Sequence, residues 1–73
     1  MLMSNLKPGK KVRVSKIKGS QIERRLYELG IIHGSDIELV SLHPFKGPLV
    51  LRVGNTTLAL GRDIAELIEV EEM

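Results

Sequence analysis

Few side chains in this 73-residue sequence are of types that do chemistry, and their spacing narrows what that chemistry could be. His33 and His43 are its two imidazoles. With Asp36 or Glu38 they could offer nitrogen and oxygen donors to a divalent transition metal such as Fe2+ or Zn2+. They fall in different loops, however, and no His-x-x-x-His or Glu-x-x-His spacing puts two donors on one helical face. No metal site and no cofactor are assigned on this pattern, and His33 and His43 stand as weak candidate ligands for Fe2+ or another divalent transition metal. Cysteine is absent, which excludes thiolate zinc sites, iron–sulfur clusters and a Cys nucleophile. Ser4, Ser15, Ser20, Ser35 and Ser41 lie in no nucleophile elbow, and the seven glycines form no phosphate-cradling run. Paired carboxylates occur only among the last ten residues, on a stretch that reads as a solvated strand and tail. The sequence is expected to encode no enzyme.

Charge is the other chemical signal. Lys7, Lys10, Lys11, Arg13, Lys16 and Lys18 crowd the first nineteen residues without an acid, whereas Asp63, Glu66, Glu69, Glu71 and Glu72 face a single base, Arg62, near the end. Phosphate neutralisation would explain the basic segment, and Leu6 to Gly19 is a little similar to the small RNA-binding barrels of the KOW type. Two features disfavour RNA. Base-stacking readers need aromatics, and the chain offers only Tyr27 and Phe45. The acidic end would also repel phosphate. The simpler expectation is that the two ends are neighbouring strands whose opposite charges pair.

The elements that position these residues follow from periodicity. Lys7-Pro8-Gly9-Lys10 is a turn. From Lys11 to Ile17 the apolar Val12 and Val14 alternate with charges, which predicts a half-buried strand. Ser20-Gln21-Ile22-Glu23 spells a capping box, and Ile22, Leu26 and Leu29 recur at helical spacing behind it. Gly30 sits where a left-handed cap would end that helix, giving about three turns. Arg24, Arg25 and Tyr27 lie off the apolar stripe, where exposed Tyr and Arg often anchor a partner.

After Gly34-Ser35 a second strand begins. Ile37 and Leu39 share one phase and Val40 and Leu42 the other, which predicts a bulge. Residues 43–48 form a loop, since two prolines so close cannot sit in a ladder. Leu49–Val53 and Thr56–Leu60 make a hairpin about Gly54-Asn55, with Leu51 opposite Leu58. Asp63 is placed to cap one helical turn, Ile64 to Leu67, before a last strand with Ile68 and Val70. The expected fold is mainly β with one inserted helix: a small, five-stranded, SH3-like barrel in which residues 1–73 form a single domain. No apolar stretch approaches the ~20 residues of a membrane span, and no signal peptide precedes the fold, so a cytoplasmic protein without membrane insertion is expected. Exposed hairpin edges leave a homo-oligomer open.

The segment Glu23-Arg24-Arg25-Leu26-Tyr27-Glu28-Leu29-Gly30-Ile31-Ile32-His33-Gly34 resembles the helix-and-turn signature of the ferrous iron transport protein A (FeoA) family. Leu58-Ala59-Leu60, Arg62-Asp63-Ile64-Ala65 and Ile68-Glu69-Val70 are similar to its C-terminal blocks, and Leu6-Lys7-Pro8-Gly9 fits its opening. The resemblance runs from Leu6 to Val70. It departs in the loop before the third strand, where Lys46-Gly47-Pro48 replaces the common Gly-Asp-Pro and loses an acid. The resemblance implies an SH3-like fold and a non-enzymatic accessory of ferrous iron uptake. Its implied partner is the membrane ferrous transporter FeoB, which carries a cytoplasmic G domain. The same domain ends metal-dependent repressors, but this chain carries no winged helix, so DNA is not an expected partner. Arg24, Arg25, Tyr27, Gly30, Ile31 and Gly34 are the expected partner-binding residues.

Overall fold

Period-2 alternation sets the first strand. In extended chain Val12 and Val14 point to one side, and β1 (Lys11–Ile17) buries both while Lys11, Arg13 and Lys16 stay exposed. This is seen in a computed structural model, which describes residues 1–43, 45 and 47–73. Pro44 and Lys46, and with them part of the expected 43–48 loop, lie outside the described residues.

The chain leaves β1 through Gly19, whose φ of 93° is a left-handed conformation that residues with a Cβ rarely adopt. Gly19 is therefore the N-cap of α1 (Ser20–Glu28), and its carbonyl accepts the Glu23 N–H at 2.9 Å. The expected capping box does not form. Ser20 is already inside the helix, and no side chain caps the first turn. The C-terminal end behaves as its sequence suggests. Gly30, at φ 88°, donates to the Tyr27 carbonyl at 3.0 Å, and Ile31 N–H donates to the Leu26 carbonyl at 2.8 Å. That pair of bonds is a Schellman motif, closed by the burial of both Leu26 and Ile31. The helix has nine residues rather than three full turns.

β2 (Asp36–Leu42) pairs with β3 (Leu49–Val53), and its register slips between Leu39 and Ser41. The phase switch thus marks a bulge at Val40. Ile37 and Leu39 enter the core, and Val40 and Leu42 stay on the surface. β3 pairs with β4 (Thr56–Leu60) in the expected register: Val53 with Thr56, Leu51 with Leu58, Leu49 with Leu60. The following helical turn, α2, spans Arg62–Ala65 and begins earlier than expected. Gly61 is its N-cap, accepting Ala65 N–H at 3.0 Å, so Asp63 lies within the turn and caps nothing. β5 (Ile68–Glu72) closes the chain against β1.

The antiparallel sheet runs β4-β3-β2-β1-β5. The described residues form no ladder between β4 and β5, so the small barrel stays open along one seam. A short 3₁₀ turn, Met3–Asn5, plugs in beside β5, with Met3 and Leu6 buried and Arg62 Nη1 donating to the Ser4 carbonyl at 3.2 Å. The apolar core is shared by all five strands, α1 and this turn, and no polar side chain among the described residues is fully buried.

The terminal charges pair as neighbouring strands should. Arg13 lies opposite Glu71 and Lys16 opposite Glu69, and Lys10 Nζ stands 3.3 Å from Glu72. Arg13 also meets Asp36 at 3.0 Å, and Arg52 meets Glu38 at 3.1 Å. The basic first strand is therefore opposed by acids on both sides.

Candidate functional site

The helix α1 is held to the sheet by little. Leu26 is its one buried residue and Ile22 packs at the core margin, because nine residues complete too few turns to lay down a longer stripe. The remainder of the helix faces outward. Arg24 and Arg25 are exposed and take part in no ion pair among the described residues. Tyr27 is 69% exposed. Leu29, expected on the buried stripe, is 48% exposed: it is the C-cap residue at the helix end, where it lines an open cleft beside Ile22 and Leu26.

The turn after the helix is stiffly built. Ser35 Oγ accepts the Ile32 N–H at 2.8 Å and donates to the Gly30 carbonyl at 3.4 Å. Gly34 N–H donates to the Val14 carbonyl at 2.8 Å, and Val14 N–H to the Ser35 carbonyl at 2.9 Å. Ser35 is therefore a structural hydroxyl, and the turn is stitched to β1. Gly30 and Gly34 are exposed with open space beyond each Cα. Ile31 is different. It is wholly buried, so it anchors the turn and offers nothing to a partner.

Ile32, 46% exposed, takes the outward place instead. Residues 31 and 32 belong to no helix or strand, so no periodic pattern in the sequence tells the buried Ile31 from the exposed Ile32. Tyr27 and Ile32 give this end of the helix an exposed apolar surface. A shallow groove there is lined by Glu23, Tyr27, Ile32 and His33. On the other flank a cleft of about 60 Å³ is lined by Ile22, Arg25, Leu26, Leu29, Leu60 and Ile64.

His33 thus borders the helix surface, and His43 sits in the β2–β3 loop with its N–H on the Pro48 carbonyl at 3.3 Å. Both are exposed. Among the described residues no three His, Asp or Glu side chains converge to hold a metal ion. The polar hollow at Lys11, Asp36, Glu38 and Arg52 holds the Arg52–Glu38 ion pair and the carboxylate that Asp36 offers to Arg13, with no nucleophile beside a base. No helix among the described residues is long and apolar enough to cross a membrane. What the arrangement can do is present a cationic and apolar helix surface.

A coiled five-stranded antiparallel sheet about one core, with a helix inserted after its first strand, makes this an SH3-like domain. The FeoA domain signature matches residues 1–72, and the chain belongs to the FeoA family, whose members take part in ferrous iron transport. It is 32% identical over 72 residues to the Fe(2+) transport protein A/Fe(2+) transporter FeoB fusion protein of Porphyromonas gingivalis, a match covering 97% of this chain and 8% of that protein. The solution structure of iron(II) transport protein A from Clostridium thermocellum is similar with a TM-score of 0.93 and 34% identity, over 100% of this chain and 46% of that one. FeoA from Stenotrophomonas maltophilia in complex with zinc, described as a procaryotic SH3 domain protein, is similar with a TM-score of 0.81 and 30% identity, over 97% of this chain and 89% of that one.

Proposed function

We propose that this chain is a non-enzymatic, cytoplasmic accessory of ferrous iron uptake that acts by binding the membrane transporter FeoB. The observation that carries this reading is the Porphyromonas gingivalis relative, in which a similar domain and the transporter share one polypeptide. Fusion makes the effective concentration of two domains high, and such a linkage suits pairs that work in contact. The exposed surface of α1, with Arg24, Arg25, Tyr27 and the Gly30–Gly34 turn, supports the same reading from the side of this chain. Tyr and Arg on a stiff support are the residues from which binding hot spots are usually made.

The test is affinity capture of the tagged protein from cross-linked, iron-starved cells, washed at high salt, with protein and RNA both identified. Recovery of FeoB without RNA is expected. Recovery of RNA alone would instead make the basic β1 the working surface. Arg24→Glu combined with Tyr27→Ala is expected to abolish capture and iron uptake while leaving the circular dichroism spectrum unchanged. Retained capture by that folded variant would show the contact to lie elsewhere.

A further inference from the structure

The two edges of the sheet are finished differently. β5 is covered by the start of the chain: Val70 N–H donates to the Met1 carbonyl at 2.8 Å, the Met1 ammonium donates to the Val70 carbonyl at 3.3 Å, and Leu2 bridges to Glu69. Among the described residues β4 has no such cover. In a two-residue hairpin the closing pair exchanges hydrogen bonds, and bonded and unbonded pairs alternate from there. With Val53 opposite Thr56, the bonded residues of β4 are Thr56, Leu58 and Leu60. Thr57 and Ala59 turn their N–H and C=O groups away from β3. Among the described residues nothing outside the sheet takes those bonds, and both residues are exposed. Thr56–Leu60 carries no charge, no proline and no bulge, the devices that usually discourage pairing at an edge.

The same strand runs into the cleft. Leu60, its last residue, lines it beside Ile22, Leu29 and Ile64, and Arg25 stands among them. An edge with open main-chain groups leading to an apolar notch is how a sheet takes up an extended peptide: backbone bonds supply affinity and the notch supplies selectivity. The guanidinium adds a demand for negative charge. A second copy of this chain would bring Thr56–Leu60, which has no carboxylate to offer. The charge therefore favours a different polypeptide.

We propose that β4 receives an extended segment of the partner as a sixth strand, hydrogen-bonded to Thr57 and Ala59, with an aliphatic side chain in the cleft and a neighbouring carboxylate on Arg25. This rests on the transporter reading and states how that partner is recognised. The experiment is amide hydrogen exchange of the full chain, alone and with detergent-purified FeoB from the same organism. Exchange at Thr57 and Ala59 is expected to slow by roughly tenfold or more on addition of the transporter. Ala59→Pro removes one outward donor and none of the β3–β4 bonds, and is expected to weaken binding by roughly tenfold. Should that variant unfold, Arg25→Glu, at an exposed site, carries the same expectation. Binding that protects α1 but leaves Thr57 and Ala59 exchanging freely overturns this inference alone. Protection that appears with rising concentration of the chain by itself assigns the edge to a second copy and also overturns it. No binding of the unaltered chain overturns the transporter reading and this inference with it.

Discussion

Met3→Ala tests how the N-terminal residues are used. Met3, the third residue, is wholly buried in the shared core, where polar Ser4 and Asn5 give no periodic hint of burial. Truncating a buried Met to Ala costs about 2–5 kcal/mol, from lost transfer free energy and the cavity left behind. A domain of this length is stable by about 4–11 kcal/mol at the usual ~0.05–0.15 kcal/mol per residue. A mid-range loss of ~3 kcal/mol therefore removes a large share of the total. With a urea slope near ~1 kcal/mol/M, the unfolding midpoint is expected to fall by about 3 M with the slope unchanged. The melting temperature is expected to fall by roughly 12–24 °C, from the ~4–8 °C per kcal/mol of small domains. Met1→Ala is the control: its side chain is exposed, so a change within ~0.5 kcal/mol is expected. If Met3→Ala matched Met1→Ala, the 3₁₀ turn would not be seated in the core and the burial argument would fail.

Gly30→Ala is expected to cost about 1–2 kcal/mol in thermal melts, all of it backbone strain, because the new Cβ meets nothing within 4 Å. Leu51→Ala, at the buried centre of β3, is expected to cost about 2–5 kcal/mol by urea titration. Arg13→Glu sets a carboxylate against Glu71 and Asp36 and is expected to destabilise by roughly 0.5–1 kcal/mol at low ionic strength, an effect that added salt should shrink. Persistence of the Arg13→Glu loss at high salt would mean the ladder, and not the charge, had been disturbed.

The sequence by itself determined what one or two neighbouring turns of chain can determine. Alternation placed Val12 and Val14 inward, the two-residue Gly54-Asn55 turn set the hairpin register, and the phase switch marked the bulge beside Leu39. Gly30 announced the helix end because an αL cap is a local backbone requirement. The off-stripe positions Arg24, Arg25 and Tyr27 were likewise legible, since helical spacing alone puts them outside. Tertiary structure decided the rest. Leu29 and Ile32 became surface, and Ile31 became core, because the turn after α1 seats Ile31 with Leu26 in the core and leaves its neighbours outside. Gly19, at a φ of 93°, and not Ser20, is the cap between β1 and the helix. The burial of Met3 depends on β5 and α2, strands and turns that lie some sixty residues further along. The difference between a covered β5 and an open β4 is of the same kind. Local periodicity fixes which side of a strand is apolar, but which edge is left unpaired depends on where distant segments come to rest.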